Sequence, residues 1–240
     1  MNALLIAGTE TGVGKTVLTL ALAAYWQRYG KLDRLGIMKP VQCGDRSAFG
    51  VSGGDRALYQ QLFSLNQSLE QITPLYFQST LVPPLAAAQE GQRIRLDVLW
   101  QQFDQLLQTR DLVLVEAWGG LGSPLTRETT VADLAWDWRI PTVLVVPVQS
   151  ETIAQVVANV ALAQQSRLHL KGIVLNCSQP CTPEQIETWA DPALIQSLTN
   201  KPVLGCIPHL ADPADCEKLA QVAASLELER LLPSPECLVG

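Results

Sequence analysis

Nine residues near the start of the chain constrain its fold more than any others. Gly8-Thr9-Glu10-Thr11-Gly12-Val13-Gly14-Lys15-Thr16 follows the apolar run from Ala3 to Ala7 and precedes an apolar helical pattern from Val17 to Trp26. A glycine-rich turn between a buried strand and a helix lets backbone N–H groups approach phosphate oxygens, whose charge the helix dipole favours. Lys15 adds a positive charge, and Thr16 a hydroxyl that can bind magnesium. The segment therefore predicts a phosphate-binding loop in an α/β protein.

Length and composition favour one large domain over residues 1–240. The chain has 240 residues, of which 48% are hydrophobic and 17% charged, enough to cover both faces of one sheet. The formal net charge is −6 and there is no run of basic residues, which argues against a nucleic-acid partner. The longest strongly apolar runs, such as Ile140 to Val148, are about half the length that spans a bilayer. We therefore expect neither nucleic acid nor a membrane as a partner.

The cysteines and the N-terminal residues indicate where the protein works. The six cysteines form no CxxC pair, and only two histidines are present. We therefore expect reduced thiols rather than a disulfide scaffold or a structural zinc site. No basic region precedes the first apolar stretch, which argues against a signal peptide. Both features favour a cytoplasmic location.

Short apolar runs alternate with helix-length periodic segments along the chain. The runs are apolar at nearly every position, which is typical of parallel strands buried on both faces. The predicted strands are Asn2 to Ala7, Arg34 to Pro40, Asp111 to Glu116, Pro141 to Pro147, Lys171 to Asn176 and Pro202 to Ile207. The predicted helices are Thr16 to Tyr29, Asp55 to Ser64, Leu96 to Gln108, Val131 to Trp138, Thr152 to Ser166, Pro183 to Thr199 and Ala214 to Leu231. The pattern predicts an α/β fold of P-loop NTPase type, with a doubly wound, mainly parallel sheet and helices on both faces, and an irregular surface excursion over residues 73–94.

Four polar residues stand where such a sheet binds ligands, at or after the carboxyl ends of its strands. Lys39 lies at the end of the second strand and either meets a phosphate or carboxylate or extends to water, since an unpaired buried ammonium is costly. Glu116 ends the third strand, where P-loop proteins place an acidic residue near magnesium. Asp55 is either a second oxygen ligand or a helix cap. Asn176 either reads an adenine edge or forms a turn.

Taken in order, these motifs resemble dethiobiotin synthetase over essentially the whole chain. The matching segments are the loop 8–16, Lys39-Pro40-Val41, Glu116 followed by Gly119-Gly120, Asn176, and Gly205-Cys206-Ile207-Pro208. That family adds carbon dioxide to the diamine 7,8-diaminononanoate and uses ATP and magnesium to close the ureido ring of dethiobiotin in biotin biosynthesis. The related partition ATPases carry a signature lysine early in the loop, where this chain has Glu10. The resemblance implies an ATP-dependent cyclo-ligase that acts as a homodimer.

The resemblance also implies a role for each matching residue. Lys39 would be catalytic, stabilising the carbamate and its phosphorylated form, and Cys43 would contact the substrate. Magnesium would be held by Thr16, Asp55 and Glu116. The ATP site would comprise Gly12, Val13, Gly14, Lys15, Thr16, Val17, Asp55, Glu116, Ala117, Trp118, Gly119, Asn176, Cys177, Pro208, His209 and Leu210.

Three departures from the family pattern leave a second interpretation open. Cys43 replaces the usual serine or threonine, Trp118 brings a bulky ring beside Glu116, and the segment from Gln149 to Gln155 differs from the family's. In the family that segment opens a helix that meets the substrate carboxylate across the dimer interface, and Glu151 would repel a carboxylate there. The alternative is a diverged paralogue that binds ATP and acts as a nucleotide switch or on another substrate.

Overall fold

The computed structural model describes residues 2–30, 32–45, 51–212 and 214–232, and a six-stranded sheet forms its centre. Its strands are β1 (Ala3–Gly8), β2 (Leu35–Met38), β5 (Leu112–Gly120), β6 (Thr142–Pro147), β7 (Leu170–Asn176) and β8 (Val203–Ile207). They run in the order β2-β5-β1-β6-β7-β8, and every neighbouring pair is parallel. A separate two-stranded parallel sheet joins β3 (Val41–Cys43) to β4 (Leu75–Phe77). All six predicted strands are confirmed as members of the main sheet.

Helices connect the strands. They are α1 (Lys15–Tyr29), α2 (Gly54–Phe63), α3 (Leu69–Ile72), α4 (Pro83–Gln89), α5 (Leu96–Thr109), α6 (Val131–Asp137), α7 (Thr152–Gln165), α8 (Pro183–Ala190), α9 (Pro192–Thr199), α10 (Cys216–Ala224) and α11 (Leu228–Leu231). Within the described ranges, none of these helices is both long and apolar enough to cross a membrane.

The helices cover both faces of the sheet, and each face has its own hydrophobic core. Along β1 the side chains alternate: Leu4 and Ile6 pack with α1 and α10, whereas Leu5 packs in the core that contains Phe103 of α5 and Val156 of α7. Side chains of a strand point alternately to opposite faces, so a strand buried on both sides is apolar throughout. The predicted doubly wound α/β fold of P-loop type is confirmed.

The strand order places a crevice beside β1. From β1 the chain passes to β2 on one side, and from β5 it passes to β6 on the other side of β1. In doubly wound sheets, ligands bind at the carboxyl end of the sheet where the direction of winding reverses. The loop after β1 lies at this point, as the motif requires.

Two predicted helices are each divided in the structure. The segment from Pro183 to Thr199 forms α8 and α9, because Pro192 has no N–H to continue a helix and Asp191 caps the new one by accepting from Ala193 N at 2.8 Å. The segment from Ala214 to Leu231 likewise contains α10 and then the short α11. The predictions of single helices were wrong at these points.

The prediction of an irregular surface excursion over residues 73–94 was also wrong. The segment contains β4 and α4, and Phe77 and Ala86 are fully buried. Val41 and Leu75 pair at the start of the small β3-β4 sheet, so the second predicted strand is interrupted after Met38 and its continuation pairs elsewhere. These short elements lack the long periodicity on which sequence patterns depend.

Candidate active site

The loop between β1 and α1 forms a tight turn at the carboxyl edge of the sheet. Gly14 has φ 104°, and a Cβ there would lie only 2.2 Å from Nδ2 of Asn176, so no other residue fits. α1 begins directly after it at Lys15, and no side chain caps its first turn. Backbone N–H groups at such an uncapped helix start can bind an anion. The turn therefore has the form of the predicted phosphate-binding loop.

Lys15 is held inside this loop. Its Nζ donates to the carbonyl oxygen of Glu10 at 2.7 Å, and the residue is 6% exposed. Burial lowers the pKa of Lys15 to about 8, although Glu116 opposes the shift. An ammonium whose solvation is poor gains more from meeting phosphate oxygens than an exposed one does.

Lys39 forms a buried ion-pair cluster with two carboxylates. Its Nζ donates to Oδ2 of Asp55, and to Oε1 of Glu116 at 2.6 Å. Burial acts to lower the pKa of Lys39, but Glu116 and Asp55 together outweigh it and raise the pKa above its usual range. The ammonium is therefore paired with carboxylates and does not extend to water.

The structure also excludes one of the two interpretations of Asp55. Gly53 is the N-cap of α2, and Asp55 is the second residue of the helix, with its side chain directed to Lys39. Asp55 is thus not the helix cap. Gln42 fixes this end of α2, because its Nε2 donates to Gly53 O at 3.4 Å and its Oε1 accepts from Arg56 N at 3.4 Å.

Glu116 lies within a strand and not at its end, contrary to the prediction. β5 continues to Gly120, which pairs with Gly8 beyond a register shift. The carboxylate, 1% exposed, accepts from Thr16 Oγ1 at 3.3 Å. Its other oxygen accepts from the hydroxyls of Tyr59 and Thr19. Sequence reasoning missed these two hydroxyls.

The predicted site residues surround one cavity of about 800 Å³. Those that line it are Gly12, Gly14, Lys15, Thr16, Val17, Lys39, Cys43, Asp55, Glu116, Ala117, Trp118, Gly119, Asn176, Pro208, His209 and Leu210. Three further residues line it that were not predicted: Thr11, Gln42 and Ser178. Each is next in sequence to a predicted residue. Its polar side chain is the only feature of the sequence that could have marked it as part of the site.

Val13 and Cys177 do not line the cavity. Val13 is 2% exposed, and its carbonyl oxygen accepts from Nδ2 of Asn176 at 2.9 Å. Cys177 is buried directly after β7, with its Sγ 3.8 Å from Sγ of Cys206. The side chain of Asn176 therefore joins the end of β7 to the phosphate loop, while its neighbour Cys177 points into the core.

Two of the departures face the cavity. Cys43 lines it, and burial, aided by Glu90, raises the pKa of the Cys43 thiol to about 12, so it acts as a neutral, weak hydrogen-bonding group. Trp118, two residues after Glu116 on β5, also lines it. That its ring lies beside the Glu116 carboxylate stays a prediction.

The third departure lies outside the cavity lining. α7 begins at Thr152, whose hydroxyl accepts from Gln149 N at 2.8 Å, and Glu151 is exposed at the start of the helix. No residue from 149 to 155 lines the described cavity. This helix start therefore contributes no residue to the cavity described above.

The oxygen atoms of the cluster fit a hard divalent cation. Thr16, Asp55 and Glu116 offer a hydroxyl and two carboxylates around the point where the ammonium of Lys39 lies. Magnesium prefers such oxygen ligands and keeps several waters. In the described part of the chain, no group of three or more His, Cys, Asp or Glu side chains could hold a metal ion, so this mixed set has to rely on water and phosphate oxygens to complete its shell.

Comparison with solved structures confirms the fold. The chain is similar to the MinD cell division protein in its complex with MinC from Aquifex aeolicus, with TM-score 0.55, 14% identity, and 92% of this chain and 86% of that chain covered. It is similar to a ParA family ATPase from Chlorobium tepidum, with TM-score 0.53, 12% identity, and 100% and 99% covered. At these identities the likeness concerns the fold alone.

Comparison with known protein sequences identifies the family. The profile of the AAA domain family matches residues 2–215. The chain is 54% identical to an ATP-dependent dethiobiotin synthetase BioD from Gloeothece citriformis, over 97% of this chain and 100% of that protein. It is 49% identical to the BioD protein of Synechocystis sp., over 95% and 94%. The phosphate loop, the buried lysine with its two carboxylates and these identities together make the chain an enzyme, a cyclo-ligase, of the ATP-dependent dethiobiotin synthetase family.

Proposed function

We propose that this enzyme carboxylates 7,8-diaminononanoate and closes the ureido ring of dethiobiotin, using ATP and magnesium, in biotin biosynthesis. The observation that carries the proposal is the position of Lys39. Its buried ammonium lies in the same cavity as the phosphate loop and as two carboxylates. Phosphate binding alone would need Lys15 and the loop, whereas a second buried cation suits a reaction between two anions.

The loop and the residues at the strand ends would bind ATP. Gly12, Gly14 and Lys15 would meet the triphosphate. The base would lie between Asn176 and the segment Pro208-His209-Leu210, which border the same cavity. Because the Nδ2 group of Asn176 already donates to Val13 O, its carbonyl oxygen is the atom available to accept from an amino group of the base.

Thr16, Asp55 and Glu116 would hold magnesium. When bound, the metal supplies charge neutralisation at the phosphate oxygens and helps to align them. The two carboxylates are held rigidly because both are hydrogen-bonded and buried. A preorganised set of ligands costs little reorganisation on binding.

The reaction needs groups that hold negative charge more than groups that move protons. Carbon dioxide and one amine form a carbamate, whose oxygen takes the γ-phosphoryl group while ADP leaves. The second amine then attacks the carbonyl carbon, phosphate departs with the C–O bond electrons, and the amine loses its proton. Lys15 and Lys39 would stabilise the anions that meet in the first step, and Lys39 the carbonyl oxygen in the second. The Cys43 thiol would contact the substrate as a weak partner.

We propose that the working form is a homodimer. The outer face of α7 presents Ala154, Val157, Ala158 and Ala161 at helical spacing, all exposed, and Val157 is 38% exposed. A second copy packed on this apolar face would bring the start of α7 close to a neighbouring site. Sedimentation of the purified protein would report a particle of twice the mass of the chain.

The remaining expectations stay proposals of the same kind. A single domain over residues 1–240 agrees with the match of one family profile to residues 2–215. A cytoplasmic location agrees with the absence of a disulfide among the described cysteines; Cys237 lies outside the described residues.

The test of the function is direct. Purified protein is incubated with ATP, magnesium, bicarbonate and 7,8-diaminononanoate, and dethiobiotin is sought by mass spectrometry, with each component omitted in turn. Dethiobiotin that appears only in the complete mixture supports the proposal. ATP binding without any product would support the diverged paralogue instead.

Glu151 provides a smaller test of the carboxylate pocket. Replacing Glu151 by glutamine removes an exposed negative charge at the start of α7, where the helix dipole and backbone N–H groups favour an anion. We expect the KM for the diamine to fall about twofold to fivefold with kcat unchanged, as relief of uniform repulsion predicts. Steady-state kinetics measure both constants, with Glu229→Gln on α11 as the control. A higher KM would mean that Glu151 supports the site.

A further inference from the structure

Tyr59 is a buried polar residue to which the proposed reaction assigns no role. It lies on α2, four residues after Asp55, and is 0% exposed. Residues four apart lie on the same face of a helix. This spacing brings the Tyr59 hydroxyl to the carboxylate of Glu116, to which it donates.

The two oxygens of Glu116 have separate partners. Oε1 accepts from Lys39 Nζ at 2.6 Å and from Thr16 Oγ1 at 3.3 Å, on the side of the cavity. Oε2 accepts from the Tyr59 hydroxyl and lies 3.2 Å from Thr19 Oγ1, on the side of the core. The terminal torsion of a glutamate side chain has broad minima. The side chain of Glu116 therefore does not by itself fix which oxygen faces the cavity.

We propose that Tyr59 is a positioning residue that orients Glu116 for the cation of the bound nucleotide. By occupying Oε2, the Tyr59 hydroxyl keeps Oε1 directed at the position between Thr16 and Lys39. The inference rests on the proposed function in one respect, namely that Glu116 takes part in binding the magnesium of ATP. Hydrogen-bond partners of metal-binding carboxylates orient the carboxylates and affect metal affinity.

Thr19 constrains the orientation of the Glu116 carboxylate less than Tyr59 does. Its hydroxyl has a single proton and can donate either to Glu116 Oε2 or to the carbonyl oxygen of Lys15, which lies 3.0 Å away. Threonine in a helix commonly bonds to the carbonyl four residues before it. The Tyr59 hydroxyl also interacts with the hydroxyl of Thr19, but it donates its own proton to Glu116 Oε2, so we infer that it is the main constraint on Glu116.

The test is Tyr59→Phe, which removes the hydroxyl and keeps the ring in the core. Binding of Mn²⁺ is measured by electron paramagnetic resonance in the presence of the non-hydrolysable analogue adenylyl imidodiphosphate. We expect the affinity for Mn²⁺ to fall about tenfold, the lower end of the usual range for such partners. In turnover assays the magnesium concentration for half-maximal rate should rise by a similar factor, and kcat should recover at saturating magnesium.

Two matched variants serve as controls. Tyr76→Phe also removes a hydroxyl that donates to a carboxylate, since the Tyr76 hydroxyl donates to Asp45 at 3.1 Å. Because Tyr76 does not line the cavity, the Mn²⁺ affinity of this variant should stay unchanged. Thr19→Val should weaken Mn²⁺ less than Tyr59→Phe does. Thermal unfolding of every variant shows whether it is folded.

The outcomes separate the inference from the proposed function. Unchanged Mn²⁺ affinity in Tyr59→Phe would overturn the inference, whatever the wild type produces. A loss of kcat that saturating magnesium does not restore, with normal Mn²⁺ affinity, would also overturn it and indicate a role in packing. If the wild type makes no dethiobiotin but Tyr59→Phe weakens Mn²⁺ binding, the positioning role stands and only the proposed reaction fails.

Discussion

Replacing Lys15 by alanine is expected to weaken ATP binding about 10- to 100-fold. A hydrogen bond from a charged group contributes about 1.5–3 kcal/mol, and each 1.4 kcal/mol is a factor of about ten in affinity. Lys15 is 6% exposed and borders the cavity beneath the phosphate loop, so water cannot replace its ammonium fully. Calorimetric titration of ATP with magnesium measures the loss.

The control for this variant is a lysine outside the site. Lys218 lies on α10 and does not line the cavity, so Lys218→Ala should bind ATP as the wild type does. Lys15→Ala should also remain folded, because the ammonium of Lys15 makes only one hydrogen bond within the described structure, to Glu10 O. Wild-type affinity in Lys15→Ala would refute the assignment of the loop.

Replacing Lys39 by glutamine is expected to remove turnover and spare nucleotide binding. Loss of one group that stabilises developing negative charge costs about 100- to 1,000-fold in kcat, and Lys39 is placed to stabilise the carbamate and the carbonyl oxygen. The affinity for ATP should change by less than about threefold, since Lys15 and the loop hold the phosphates. Single-turnover kinetics and calorimetry on the same preparation separate the two effects.

The same variant should also be less stable without ligands. Lys39 pairs with Asp55 and Glu116, all three below 9% exposure. Breaking a buried ion pair costs about 3–5 kcal/mol, because the buried carboxylates lose the positive charge that opposed theirs. Denaturant unfolding measures this loss, and magnesium with ATP should restore much of it.

The control is Lys201→Gln. The ammonium of Lys201 donates to Leu170 O at the opposite end of β7, so this variant should affect neither turnover nor ATP binding. Turnover within tenfold of wild type in Lys39→Gln would mean that Lys39 takes no part in the reaction.

The main strands were predictable because both of their faces are buried. Runs such as the one that forms β6 are fully buried over their length, and only a strand inside a parallel sheet requires this. The phosphate loop was equally clear, because its glycines and Lys15 stand between such a run and a helix. Together they determined which edge of the sheet holds the site.

The short elements were not predictable from periodicity. β3 and β4 have three residues each, and α3 has four, so no repeating pattern can develop. The division between α8 and α9 did have a signal, because Pro192 follows Asp191 inside an otherwise helical segment. The apolar spacing on both sides of Pro192 fits one continuous helix, so the break was not predicted.

The contacts of the cluster depend on tertiary register. That Lys39 and Glu116 lie at one edge followed from the positions of the strands, but the pairing of Lys39 with both carboxylates requires the packing of α2 on the sheet. Tyr59 looks like an ordinary aromatic residue of an amphipathic helix in the sequence. Its spacing of four from Asp55 was the one available sign that both face the same site.

The measurement that tests the central claim most directly follows the carbon atom of carbon dioxide. The wild type is supplied with ATP, magnesium, 7,8-diaminononanoate and ¹³C-labelled bicarbonate, and dethiobiotin and ADP are quantified together. We predict dethiobiotin that carries the label in its ureido carbonyl, with one ADP formed for each molecule of product. ADP formation without labelled dethiobiotin, or ATP binding with neither product, would contradict the assignment of this chain as the ring-closing ligase.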